Sequence, residues 1–301
     1  LLDSIMAHIP PALWMLADAV RLRTANRFHD EANALAGQVG ANWRDVILAN
    51  ISYDLVVAGL GCSTVALPTA NGPVLARNMD WWPENILAQA SYQLRYLNGA
   101  ELRFVNVGWP GAIGVVTGLS ARGFAFALNA VSSPEPVNQT GYPVLLALRA
   151  VLEDAANFED ALKLLSDEPL AAPCLIILVG TENEQRVVIE RSPAGSAQRW
   201  PNGAEPLAAT NHYRLLFQAE TEYDNELYRT TCDRYLALLD AFAGHRAERE
   251  IDDAELLYVL TDPAILQSIT AQHIILRPRS GQARLFVPRR FIPAEDQGAV
   301  A

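Results

Sequence analysis

An α+β fold is what this sequence predicts, and three observations carry that prediction. Residues 11–57 have helical periodicity, the stretch from Cys62 to about Val131 is strand-rich, and a helical stretch at 142–166 is followed by strands again. Helices and strands segregated in this way favour two sheets covered by helices over an alternating βαβ arrangement. Periodicity by itself stops at that class. A chain of 301 residues, 50% of them hydrophobic, can bury a large core as one big domain or two small ones.

The elements follow in order. Pro10-Pro11 offers a helix start, and Leu13, Leu16, Ala17 and Val20 share one face. Gly37 to Gly40 interrupts the pattern, and Trp43, Val46, Ile47, Asn50 and Ile51 resume it, which predicts two helices within 11–57. These apolar faces read as packing surfaces; the alternative is that Leu13 and Trp14 flank an entrance for apolar substrates.

Next come Gly61-Cys62-Ser63-Thr64-Val65-Ala66-Leu67, the turn dipeptide Asn71-Gly72, and Val74-Leu75-Ala76-Arg77-Asn78-Met79-Asp80-Trp81. β-Branched and apolar residues on both sides of a turn predict a hairpin. Cys62 opens its first strand, and Arg77 and Asp80 close its second, so a thiol, a guanidinium and a carboxylate can converge at the open end.

Apolar runs at 92–97, 102–107, 112–118 and 123–130 are separated by Gly, Asn and Pro and read as strands. Val144, Leu145, Leu148, Val151 and Leu152 stripe a helix, and Phe158 starts a second one. Cys174–Val179 reads as a buried strand and Arg186–Glu190 as a half-exposed one. A helix is expected from Glu226 to Phe242, strands at 273–276 and 283–287, and a loose tail from Asp296.

Composition removes several function classes. The net charge of −11 argues against nucleic acid or an anionic membrane as partner. Three cysteines (Cys62, Cys174, Cys232) make no disulfide framework, and no spacing among them and the five histidines resembles a zinc site. No run is apolar and long enough for a transmembrane helix, and no secretory signal stands at residue 1. Because that residue is Leu1 and not methionine, a trimmed leader is an open expectation. Otherwise a soluble, bacterial cytoplasmic protein is expected.

Cys62 taken alone reads as a buried structural thiol before it reads as a nucleophile. The surrounding sequence is more specific. Cys62–Ala66, the turn, and Ala76-Arg77-Asn78-Met79-Asp80-Trp81 together resemble the nucleophile hairpin of cysteine-type N-terminal-nucleophile (Ntn) hydrolases. The nearest branch is that of acid ceramidase, N-acylethanolamine acid amidase and the penicillin acyltransferases, with bile-salt hydrolases further off. Asn50-Ile51-Ser52-Tyr53-Asp54 resembles the family's segment before the cleavage point. Trp109–Gly118 leading into Arg122–Asn129 is similar to its glycine-rich strand pair, and Thr210-Asn211 to its Thr-Asn motif.

The resemblance implies a four-layer αββα Ntn-hydrolase sandwich with an N-terminal helical segment. It implies self-cleavage between Gly61 and Cys62, giving a small subunit 1–61 and a catalytic subunit 62–301 that stay associated. Gly61 would there take a strained backbone, which glycine permits most easily. Cys62 would be the nucleophile, its freed α-amine the base, Asp80 the holder of that amine, and Arg77 the stabiliser of the thiolate. Asn129 and Asn211 would bind the oxyanion. Arg234 matches an arginine that follows the Thr-Asn motif, with Arg229 close enough to compete.

Trp81, Trp109 and His212 are expected to border the substrate. No metal or organic cofactor is needed. The expected partner is a small-molecule N-acyl amide with a hydrophobic acyl group, such as an N-acylethanolamine or a ceramide-like lipid, with weak membrane contact through the N-terminal helices. Alternatives are an acyltransferase of the penicillin-forming type, a hydrolase of bile-salt conjugates or acyl-homoserine lactones, or a non-processing protein that binds acylated ligands.

Overall fold

The structure, a computed structural model, describes residues 13–55, 60–217 and 229–292. The calls for a helix start at Pro10-Pro11, for residues 226–228 of the later helix, and for a tail from Asp296 lie outside the described residues.

The N-terminal part holds α1 (Trp14–Arg23), α2 (His29–Val39), α3 (Trp43–Asn50) and the single turn α4 (Ser52–Leu55). The two expected helices are therefore three and a turn. The unexpected break lies at Ala25 and Asn26, both left-handed with φ of 49° and 63°. Neither glycine nor proline marks it. The Thr24 hydroxyl bonds back to the Val20 carbonyl there, closing α1. Gly37 does not interrupt α2, which runs to Val39 and ends on left-handed Gly40 (φ 68°). The apolar faces pack together, with Ala17, Val20, Phe28, Ala36, Val46 and Leu48 meeting Ile113 and Leu146 of the following part.

Two antiparallel sheets form the centre. The first has the order β10-β1-β2-β11-β12 and the second β3-β4-β5-β6-β7-β8-β9. Here β1 is Leu60–Leu67, β2 Val74–Trp81, β3 Tyr92–Asn98, β4 Glu101–Gly108, β5 Thr117–Ser120 and β6 Phe124–Asn129. Further on, β7 is Cys174–Val179, β8 Arg186–Arg191, β9 Ser196–Arg199, β10 Leu207–Ala209, β11 Thr270–Arg277 and β12 Gln282–Phe286.

The helices are α5 (Glu84–Gln89), α6 (Val144–Asp154), α7 (Phe158–Asp167), α8 (Thr231–Ala241) and α9 (Asp253–Leu260). Side-chain alternation assigns the layers. Ala66, Leu75, Ala127, Ile177 and Ile274 meet between the sheets. Val65, Ala76 and Ile275 turn the other way, onto Leu238 of α8 and Leu256 of α9. Phe126, Ile176 and Ile189 turn outward onto Leu148 of α6 and Leu165 of α7. The order is helix, sheet, sheet, helix, with α1–α3 added at one end.

Three further expectations change. The run 112–118 is not one strand: the Asn50 side chain accepts from the Ile113 and Gly114 N–H groups, and the Val115 N–H bonds the Leu145 carbonyl. Those bonds satisfy the backbone outside any ladder, so β5 begins only at Thr117. Strand β8 is buried throughout instead of half-exposed, because β7 and β9 flank it and α7 covers it. Helix α9 was not expected, although the Asp252 side chain caps it by accepting from the Glu255 N–H.

Candidate functional site

The hairpin forms as expected, with Cys62 opposite Met79 and Gly61 opposite Asp80. Its turn is tight around Gly72, whose φ is 88° and whose missing Cβ would lie 2.6 Å from the Thr181 carbonyl oxygen. Alternation sends Cys62 and Arg77 to the face between the sheets and Asp80 to the opposite face, beside Thr270. The three groups therefore meet from two sides of one strand pair instead of from one side.

Cys62 is held at every polar atom. The Arg77 Nη2 donates to its sulfur at 2.8 Å, and the thiol donates to the Leu128 carbonyl at 3.7 Å. Its backbone N–H donates to Asn211 Oδ1 at 3.2 Å, and its carbonyl accepts from Arg234 Nη1 at 2.7 Å. Arg234 also donates to Asn211 Oδ1 at 2.8 Å, which ties the Thr-Asn segment to the nucleophile's own backbone. Arg229, the competing arginine, is exposed; Arg234 is buried against Cys62.

Burial sets the electrostatics. Desolvation pushes the Cys62 thiol up, while the charge of Arg77 pulls it down. Asp80 is likewise pushed up by desolvation, opposed by Arg234, by the Thr270 hydroxyl bond to Oδ1 at 2.6 Å, and by Arg77. Asp80 Oδ2 has no partner among the described residues. It is a buried acceptor on the residue facing Gly61, one bond before the expected cleavage point.

Three expected site residues, Asn129, His212 and Gly61, are placed differently from their assigned roles. Asn129 donates its amide hydrogens to the carbonyls of Ala209 and Thr210 and accepts the Thr64 hydroxyl. Both hydrogens are committed, so it is a strut between β6, β1 and β10 with no donor left for an oxyanion in this state. Asn211 spends one hydrogen on the Ala130 carbonyl and keeps the other.

His212 hydrogen-bonds Thr231 and Thr210 through Nδ1 and meets Tyr235 edge-on. Desolvation and the neighbouring arginines push it down to about 4, so the ring is neutral behind Asn211. Gly61, expected to take a strained backbone, pairs with Asp80 in extended β1 and has no positive φ. Trp81 and Trp109 pack edge to face at 5.4 Å, and Trp109 Nε1 donates to the Leu87 carbonyl. They belong to the apolar cluster that also holds Met79 and Tyr53.

A cavity of about 190 Å³ lies elsewhere, between α6 and α7 over Ile176, on the far face of the second sheet. It is separate from Cys62. Among the described residues no group of histidine, cysteine, aspartate and glutamate could hold a metal ion, and no helix is long and apolar enough to cross a membrane.

Comparison with known proteins adds to this geometry. Residues 68–261 match the family model described as acyl-coenzyme A:6-aminopenicillanic acid acyl-transferase. An N-acylethanolamine-hydrolyzing acid amidase of Caenorhabditis elegans is 22% identical over 90% of this chain and 78% of its own length. The Mus musculus protein of the same name is 25% identical over 66% of this chain; the match spans about half of that relative, 54%. The solved structure of the Caenorhabditis elegans N-acylethanolamine-hydrolyzing acid amidase ortholog superposes with a TM-score of 0.60 at 19% identity. It covers 72% of this chain and 93% of the solved one, a likeness of fold.

Proposed function

Since the chain belongs to the acyl-coenzyme A:6-aminopenicillanic acid acyl-transferase family of Ntn hydrolases, we propose that it is a cysteine amidase activated by cutting itself before Cys62. The observation that carries this reading is the grip on Cys62. Arg77 is on its sulfur, and Asn211 and Arg234 are on its backbone N–H and carbonyl. A structural thiol has no need of a buried guanidinium, and burying that charge is costly.

In processing, the Cys62 sulfur attacks the Gly61 carbonyl carbon, and the C–N bond breaks as the acyl group moves to sulfur. Water then hydrolyses the thioester, leaving a Gly61 carboxylate and a free Cys62 α-amine. That amine has an ordinary pKa near 8 and serves as the base the thiol otherwise lacks. Protonated, it has a partner in the open Asp80 Oδ2. Residues 1–61 and 62–301 stay together, supported by the shared apolar cluster and by the Arg149–Glu31 pair.

In turnover, the thiolate attacks the amide carbonyl of an N-acyl amide and forms a tetrahedral oxyanion. The free Asn211 hydrogen and backbone N–H groups stabilise it, each such donor being worth about 3 kcal/mol. The amine leaves with a proton from the α-ammonium, and water resolves the thioester. The apolar cluster of Met79, Leu87, Trp109 and Tyr53 beside the nucleophile supports a hydrophobic acyl group. The family's description favours one second reading, in which another amine takes the acyl group in place of water.

Intact mass of the protein under reducing, denaturing conditions tests the proposal beside a Cys62→Ala control. Fragments 1–61 and 62–301, seen only with the cysteine present, support it. A chain uncut at every pH removes the catalytic base and the amidase reading with it. Adding a competing amine during turnover then separates transfer from hydrolysis.

A further inference from the structure

The cavity between α6 and α7 is a void whose walls are held apart. Its volume is about 190 Å³, its floor is Ile176 of β7, and Ala147, Leu148 and Val151 of α6 face Leu165 of α7 across it. The start of α6 is fixed on one side. The Val144 N–H donates to Asp54 Oδ1 at 2.9 Å, and the Leu145 carbonyl accepts from the Val115 N–H at 3.0 Å. The end of α7 is fixed from the other side by buried Arg191, whose guanidinium donates to the carbonyls of Leu165 and Glu168. Protein interiors keep few voids larger than a water molecule, and a void closes only as far as its surroundings relax. Here both walls are anchored independently of each other.

The rim is polar, and its charges are already paired. Arg27 forks onto Asp154 with two bonds of 2.6 Å and reaches Glu153 at 2.8 Å. Glu168 pairs with Arg23, whose Cζ lies 4.9 Å from the Tyr142 ring. A charged ligand has to break one of these pairs to find a partner. The aliphatic walls and floor give water no hydrogen bonds, and a void of about 150 Å³ lined in this way stays dry and takes up benzene.

We propose that this cavity binds a small uncharged apolar molecule, about the size of a substituted benzene ring, and that the bound molecule locks the N-terminal helices onto the α6–α7 layer. The second part follows from how the rim is built. Arg27 lies between α1 and α2, while Glu153 and Asp154 end α6, so the ligand sits beneath the ion pairs that dock the N-terminal part. A ligand that binds only the docked arrangement stabilises it by the factor 1 + [L]/Kd. The site is on the far face of the second sheet from Cys62 and does not depend on the amidase reading.

The test titrates 4-fluorotoluene with the full chain and follows the fluorine NMR signal. Saturable binding is expected in wild type and a loss of at least about tenfold in affinity in Ala147→Phe, whose ring fills the cavity. Where the phenylalanine variant does not fold, Ala147→Leu carries the same comparison. With free ligand at about ten times its Kd, amide hydrogen exchange in α1–α3 is expected to slow about tenfold in wild type and not in the variant. Binding that never saturates, or that survives the substitution unchanged, overturns the site. Saturable binding with unaltered exchange in α1–α3 overturns the locking role. Neither readout involves cleavage at Gly61 or amide hydrolysis, so the amidase reading stands or falls separately.

Discussion

Arginines in two regions of this molecule do different work. At the hairpin, Arg77 and Arg234 are fully buried and engage a thiol, hydroxyls, an amide oxygen and a backbone carbonyl. At the seam between the N-terminal helices and the α6–α7 layer, Arg23 pairs with Glu168, Arg27 with Glu153 and Asp154, and Arg149 with Glu31. Arg23 and Arg27 remain about a third exposed, where an ion pair is worth at most about 1 kcal/mol. Arg77 and Arg234 instead act on the atoms of Cys62 and its neighbours. The seam sets where the helices sit, and the hairpin sets what Cys62 can do.

Substitutions sharpen the contrast. Cys62→Ala is expected to abolish both self-cleavage and amide hydrolysis while leaving the melting temperature near wild type, as intact mass and a thermal scan will show. A cut alanine variant would end the scheme.

Asp54 stands where the two regions join. Its Oδ1 accepts from the Val144 N–H at the start of α6, and burial pushes its carboxyl up to about 7. Between an ordinary value near 4 and that value, the folded chain holds a proton the unfolded chain has lost. Stability from this group therefore falls as pH rises from about 4 to 7. His212 and His273, both pushed down to about 4 by burial, act in the opposite sense, costing stability as pH drops below about 6.5. Asp54→Asn is expected to remove only the first effect and to gain on wild type up to pH 7, by about 4 kcal/mol at most. Parallel pH–stability curves for the two proteins would contradict it.

Arg77→Met is expected to lower turnover of processed enzyme about a hundredfold. It is also expected to shift the pH midpoint of Cys62 alkylation upward, since the lost charge is the one pulling the thiol down. An unchanged midpoint would make Arg77 a packing residue. The smallest effect belongs to the seam: Arg27→Ala is expected to cost about 1 kcal/mol or less in denaturant unfolding, without altering cleavage. A larger loss would show that the seam pairs act as a network.

Some of this was readable in the chain and some was not. Cys62, Arg77 and Asp80 were legible because a hairpin is local: two short strands and a turn bring them together whatever the rest does. The capped helix at 253–260 is equally local, and Asp252 ahead of an apolar run is its signal. The left-handed turn at Ala25-Asn26 has no glycine or proline to mark it.

By itself, then, the sequence determined the α+β class, the nucleophile hairpin and the acidic charge balance. Each follows from short-range pattern or composition, which need no knowledge of distant partners. Only the tertiary structure decided that Arg234 and not Arg229 reaches Cys62, and that Asn129 is a strut. Those outcomes depend on register and burial between segments as much as 172 residues apart. A single-residue offset there turns a side chain from one face of the sheet to the other.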